Sequence, residues 1–169
     1  MIAWSTDASR RLVRWSALAG GVIGTLWLVG LTLSPWIRIG INVTDSLPGW
    51  LFLVVKTERP RQGDFIAFYP PADRRFYKWD GAVFVKVAAG TGGDRVTWIG
   101  RSFFINGRPM GTAKTQATTG EPLSTSAAGV IPAGHYFVWT PHLDSYDSRY
   151  SDIGWIAPDR VIGRAVPLL

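Results

Sequence analysis

The chain has 169 residues and a mass of 18.6 kDa, enough for one ordinary core and a short appendage but not for two independent cores. Apolar residues make up 47% and charged residues 18%, with nine Trp and eight Phe, which is too apolar for disorder and points to a membrane. The net charge of +6 is scattered: Arg10, Arg11 and Arg14 precede an apolar run and Arg74 and Arg75 share a loop, so no basic face speaks for a nucleic-acid partner.

From Trp15 to Ile37 the sequence runs for 23 residues without a charge, long enough to cross a hydrocarbon core of roughly 30 Å as a helix. A cleaved signal peptide is the alternative. The run exceeds the usual apolar core of about 7 to 15 residues and no small-x-small site follows closely, so an uncleaved anchor is expected. Trp15 and Trp36 mark its ends, and the three arginines before it keep the amino end cytoplasmic. This divides the chain into a cytoplasmic amino end with a transmembrane anchor, residues 1–37, and an extracytoplasmic β-rich domain, residues 38–169.

After Arg38 the sequence breaks into short runs, IRIGINV, WLFLVVK, DFIAFYP, AVFVKVAA, RVTWIG, SFFING, GHYFVWTP and VIGRAVPL. Alternation, β-branched and aromatic enrichment, and turn residues every 8 to 12 positions predict strands and a mostly β domain. Thr112 to Gly129, rich in Thr, Ser, Ala and Gly, has no period and reads as a loop or a mobile insertion.

Three segments could carry chemistry. In Asn42 to Trp50 a Pro-Gly pair turns the chain directly after Ser46 and would present its hydroxyl at the rim of the fold, although Ser-x-Pro-Gly alone is equally an ordinary turn. In Ala82 to Ala89 a strand would place Phe84, Lys86 and Ala88 on one face and Val83, Val85 and Val87 on the other. Desolvation there would lower the Lys86 pKa, and a neutral amine can take a proton from a serine hydroxyl. A lysine snorkelling from a strand edge is the bland reading. Asp144 to Tyr150, DSYDSRY, combines short polar side chains with an Asp and Arg two apart, which is also what a capped turn with a local ion pair looks like. Gly63-Asp64 and Gly92-Gly93-Asp94 read as β-turns. The chain lacks Cys and has two His, His135 and His142, and nothing in it signals a metal or organic cofactor.

Taken in order, these segments resemble the boxes of the signal peptidase I family, peptidase S26, from Asn42 to Leu169. The serine box is TDSLPG at 44–49, followed by RQGDFIAF at 61–68. The lysine box is FVKVAAGTGGDRV at 84–96, followed by ING at 105–107. The last box is LDSYDSRY at 143–150, with GRAVPL near the end. The short chain, the GDFIAFYPP string and the DSRY and GRAVPL segments resemble most the conjugative-transfer, pilin-processing (TraF-like) branch. Two departures stand out: Val87 replaces the usual basic residue after the lysine, and three residues instead of about one separate Tyr150 from Gly154.

The resemblance implies a signal peptidase/LexA-like β-domain behind one transmembrane helix in a bacterial inner membrane, with the catalytic domain periplasmic. It implies Ser46 as nucleophile and Lys86 as general base, and an oxyanion held by the Ser46 N–H and the Thr44 hydroxyl. Ser145 would orient the lysine amine, and Asp147 with Arg149 would form a supporting ion pair. Its substrate would be an exported precursor, a pilin in the conjugative branch, recognised by small side chains in shallow apolar pockets beside an added strand. Some conjugative members join the new carboxyl end to the pilin's own amino end, and Asp144 or Asp147 is a candidate helper for such a step. A self-cleaving repressor-type Ser/Lys protein would carry a DNA-binding domain in place of the membrane span. A non-catalytic membrane-anchored assembly factor for a pilus or secretion system is the rival from another class.

Overall fold

A single long helix opens the chain because nothing in the apolar run interrupts it until Pro35. The computed structural model describes residues 6–41, 47, 49–71 and 81–169. Helix α1 (Thr6–Leu33) contains a stretch, Ser9–Leu33, long and apolar enough to cross a membrane. The Ser16 hydroxyl donates back to the Leu12 carbonyl at 3.0 Å and the Thr25 hydroxyl to the Gly21 carbonyl at 2.9 Å, so both of these donors are satisfied within the helix. The helix stops four residues short of the expected Ile37, since the proline ring cannot follow the helical path.

The chain clusters into two units, Met1–Ile37 and Arg38–Leu169. The second is built of strands β1 (Ile37–Ile41), β2 (Leu51–Val55), β3 (Phe65–Phe68), β4 (Phe84–Thr91), β5 (Arg95–Ile99), β6 (Ser102–Ile105), β7 (Arg108–Thr112), β8 (Gly129–Val130), β9 (Tyr136–Trp139) and β10 (Val161–Pro167). A six-stranded sheet has the order β1-β2-β10-β3-β4-β9, and a four-stranded sheet the order β7-β6-β5-β8. Each of the eight predicted runs contains a strand. The two further strands lacked a sequence signal: β7 carries Pro109 and Gly111, and β8 is two residues long. Strand β7 exists because Asn106 and Gly107, with φ of 49° and 81°, adopt the left-handed pair that closes a two-residue hairpin.

Three clusters form the core. Ile66, Phe68, Ala88, Val138, Ile153 and Ile156 pack on one face of the large sheet, with Phe84 against them. Leu47, Phe52, Val54, Ala67 and Ala165 pack on the other, with Val83, Val85 and Val87. The small sheet supplies Val96, Phe103, Ile105 and Met110, which meet Phe137 and Tyr150. Strand β4 thus has the two faces its alternation predicted.

The stretch 112–129 is irregular, as expected, but it is pinned instead of mobile. Ala113, Leu123 and Ser126 are buried. The Arg101 guanidinium donates to the carbonyls of Ala113, Lys114 and Leu123, and the Ser126 N–H donates to the Arg149 carbonyl at 2.9 Å. Its hydrogen bonds go to distant segments, which no local period reveals.

Candidate active site

Lys86 stands in the middle of β4, flanked by β3 and β9, and opposite Ile66. It does not snorkel: the side chain is 6% exposed, and its Nζ donates to the Ser145 Oγ at 3.1 Å. Burial lowers the amine from 10.5 to about 8; the Asp147 carboxylate partly offsets this, and the Arg149 guanidinium adds to it.

Ser145 is delivered by the segment after β9. Pro141 has no N–H to continue a ladder, and the chain turns so that the Ser145 N–H donates to the His142 carbonyl at 3.1 Å. Ser148 then grips β9 through both of its polar groups, its N–H donating to the Val138 carbonyl at 3.0 Å and its Oγ accepting from the Val138 N–H at 2.9 Å. Between these fixed points Asp147 and Arg149 form a fork, Nε to Oδ1 and Nη2 to Oδ2 both at 2.9 Å. The two side chains are 0% and 3% exposed, so the pair is buried and not the solvated turn pair that local spacing suggested. The remaining Arg149 donors reach the carbonyls of Ser145 and Thr112 at 3.3 Å, tying the residue beside Lys86 to the guanidinium.

Asp144 behaves differently from Asp147. Its carboxylate is exposed and paired with Lys114, whose hydrogen bond holds it below the usual carboxylate range. The structure therefore brings Lys86, Ser145, Asp147 and Arg149 together and leaves Asp144 on the outer side of the same turn.

Ser46 and Thr44 lie outside the described residues. Their neighbours are well anchored: Leu47 is buried in the cluster with Phe52 and Val54, and the Trp50 N–H donates to the Leu169 carbonyl at 2.9 Å. Gly49, at φ 96°, faces that same carbonyl, which a Cβ would approach to 2.8 Å. Edge strand β1 carries exposed Ile39 and Ile41 beside a cavity of about 150 Å³ lined by Gly40, Val54, Val83 and Val85.

Both departures in the boxes have a structural account. Val87 points away from Lys86 into the cluster around Ala67 and Ala165, where a charge would have no partner. The longer spacing after Tyr150 is taken up by a turn in which Gly154, at φ 58°, donates to the Tyr150 carbonyl at 2.9 Å. Both Gly-Asp pairs are turns, with Asp64 Oδ2 accepting from the Arg61 N–H and Asp94 Oδ2 from the Thr91 N–H, each at 2.8 Å. Sequence reading did not single out Thr140, a fully buried residue directly after β9.

Residues 10–169 match the family described as signal peptidase, peptidase S26. A conjugal transfer protein TraF of Agrobacterium fabrum is 32% identical over 180 residues, covering 95% of this chain and 97% of that protein. A probable conjugal transfer protein TraF of Sinorhizobium fredii is 30% identical, covering 95% of this chain and 93% of its own length. A TraF of Agrobacterium tumefaciens is 30% identical over 65% of this chain and 71% of its own. With a mostly β domain behind one apolar helix, the chain belongs to the signal peptidase family, peptidase S26.

Proposed function

We propose that the protein is a membrane-anchored serine endopeptidase that removes leader segments from exported precursors by a Ser/Lys dyad, and that its substrate is a conjugative pilin. The observation that carries this reading is the Lys86 amine, buried, bonded to Ser145 and lowered to about 8. At pH 7 an amine of that pKa is about 10% neutral, against roughly 0.03% for an ordinary lysine, which supports Lys86 as the base that activates a serine.

Lys86 takes the proton from the Ser46 hydroxyl as its oxygen attacks the scissile carbonyl. It then passes that proton to the departing amine, leaving an acyl-enzyme on Ser46. The Ser46 N–H and the Thr44 hydroxyl hold the oxyanion. Lys86 next deprotonates water, which releases the product. Ser145 orients the amine, and the Asp147–Arg149 pair holds Ser145. The cavity lined by Gly40, Val54, Val83 and Val85 suits small side chains of a peptide laid along edge strand β1. In this arrangement residues 1–37 form the cytoplasmic end and inner-membrane anchor, and residues 38–169 work in the periplasm. If product is released by cyclisation, Asp144 is the acid accessible to an incoming amino end, since Asp147 is buried against Arg149.

The test is cleavage of a candidate pilin precursor in detergent or lipid by wild type, Ser46→Ala and Lys86→Ala at matched folding. Loss of cleavage in both variants supports the dyad, and the product mass separates hydrolysis from cyclisation. Cleavage surviving in both variants, or a wild type that binds precursor and never cuts it, would replace this reading with that of an assembly factor.

A further inference from the structure

Arg101 sits in the turn between β5 and β6 on the small sheet, whereas Lys86 lies on the large one. Its Nε donates to the Ala113 carbonyl at 2.9 Å, and its Nη2 donates to the carbonyls of Lys114 and Leu123, the latter at 2.8 Å. The rigid guanidinium fork thus gathers both ends of segment 113–123 into a strap. The strap and its flanks are bonded in turn to the segment that carries Ser145. The Lys114 N–H donates to the Tyr150 Oη at 3.1 Å, the Thr112 carbonyl accepts from the Arg149 Nη1 at 3.3 Å, and the Ser126 N–H donates to the Arg149 carbonyl at 2.9 Å. Arg149 Nη2 donates to the Ser145 carbonyl at 3.3 Å, and the Ser145 Oγ accepts from the Lys86 Nζ at 3.1 Å. An unbroken path of hydrogen bonds and short stretches of chain therefore runs from Arg101 to the lysine amine.

Coupling over such a distance needs an element with two arrangements, and the strap is one: pinned by Arg101 or released. Pinned, its Ala113 and Leu123 are buried in the cluster that holds Tyr150. Released, it would let water reach Tyr150 and Arg149, each 2% exposed in the folded chain. We propose that Arg101 is a positioning residue for the Lys86–Ser145 pair, holding the 113–123 strap against Arg149 and Tyr150 so that the segment bearing Ser145 keeps its place and stays dry. This rests on the Ser/Lys reading above. Two charged groups act on the amine: Asp147 favours its protonated form and Arg149 disfavours it. Of the flanking strands, β3 has no titratable residue and β9 has Tyr136, whose hydroxyl donates to the Pro60 carbonyl at 3.0 Å. The strap's own Lys114 pairs with Asp144 on the outer side of the turn.

The test uses the full chain in detergent micelles with lysines ¹³C-labelled at Cε. There are four, Lys56, Lys78, Lys86 and Lys114, and Lys86→Ala assigns the signal of interest. Its titration midpoint is read in wild type and Arg101→Met, with Tm and kcat/KM against pH for precursor cleavage measured in parallel. Burial is the largest cause of the lowered amine, so releasing the strap should raise the midpoint by about one pH unit. The neutral fraction at pH 7 then falls about tenfold, kcat/KM falls with it, and the deficit should close by about pH 10. An arginine that only stabilises the fold would lower Tm and leave the midpoint where it was. If Arg101→Met does not fold, Arg101→Lys replaces it, keeping the charge and losing the fork. An unmoved midpoint in a folded variant overturns the proposal, whether or not precursor is cut. A midpoint that rises in a protein that cuts no precursor would uphold the role of Arg101 and sink the peptidase reading.

Discussion

Asp147→Asn tests the most heavily buried polar element beside Lys86. The carboxylate accepts from the Arg149 Nε and Nη2 at 2.9 Å and from the Arg149 N–H at 3.2 Å, with no exposed surface. An asparagine keeps one acceptor, turns an amino group toward the guanidinium, and leaves a buried cation uncompensated. Breaking such a pair costs about 3 to 5 kcal/mol. At roughly 3 to 4 °C per kcal/mol for a domain of this size, the full-length protein in detergent should lose about 10 to 20 °C in Tm. The folded fraction should show a second effect. Without the Asp147 charge, which favours protonated Lys86, the amine falls below about 8 and the acid limb of precursor cleavage moves to lower pH. Replacing both partners, Asp147→Leu with Arg149→Met, should recover most of the Tm because no orphan charge remains. It should not recover the rate, because Arg149 no longer holds the Ser145 carbonyl. A single variant melting within about 2 °C of wild type, or a double variant no more stable than the single, would refute the reasoning.

Lys86→Met should stabilise the protein at pH 7. The folded state binds the lysine proton less tightly than the unfolded chain, about 8 against 10.5, so the charged amine costs stability below about pH 8, and that cost fades as pH rises toward 10.5. The gain at pH 7 is at most about 3 kcal/mol and should vanish at high pH; a Lys86→Met protein that melts lower than wild type at pH 7 would contradict it. Gly163→Ala should be among the worst small substitutions. On β10 beside β2, its Cβ would meet the Val55 carbonyl oxygen and come within 2.8 Å of the Lys56 Cα, so overpacking of about 1 to 3 kcal/mol is expected. A Tm equal to wild type would show that β10 and β2 can separate without cost.

Much of the protein was readable from local pattern. Pro35 and the uncharged run before it specify a long helix, alternation around Lys86 specifies two apolar faces, and the Gly-Asp pairs specify turns. These properties depend on residues a few positions apart. Contacts between distant segments were not readable in this way. Nothing in DSYDSRY distinguishes a solvated turn from a buried one, and only the packing of that segment against β9 separates exposed Asp144 from buried Asp147. The stretch 112–129 looked mobile because its partners, Arg101 and Arg149, lie elsewhere in the chain. The sequence by itself determined which faces are apolar and where the chain turns. The tertiary structure alone decided which polar groups meet inside, because desolvation and hydrogen bonding act between neighbours in space, whatever their separation along the chain.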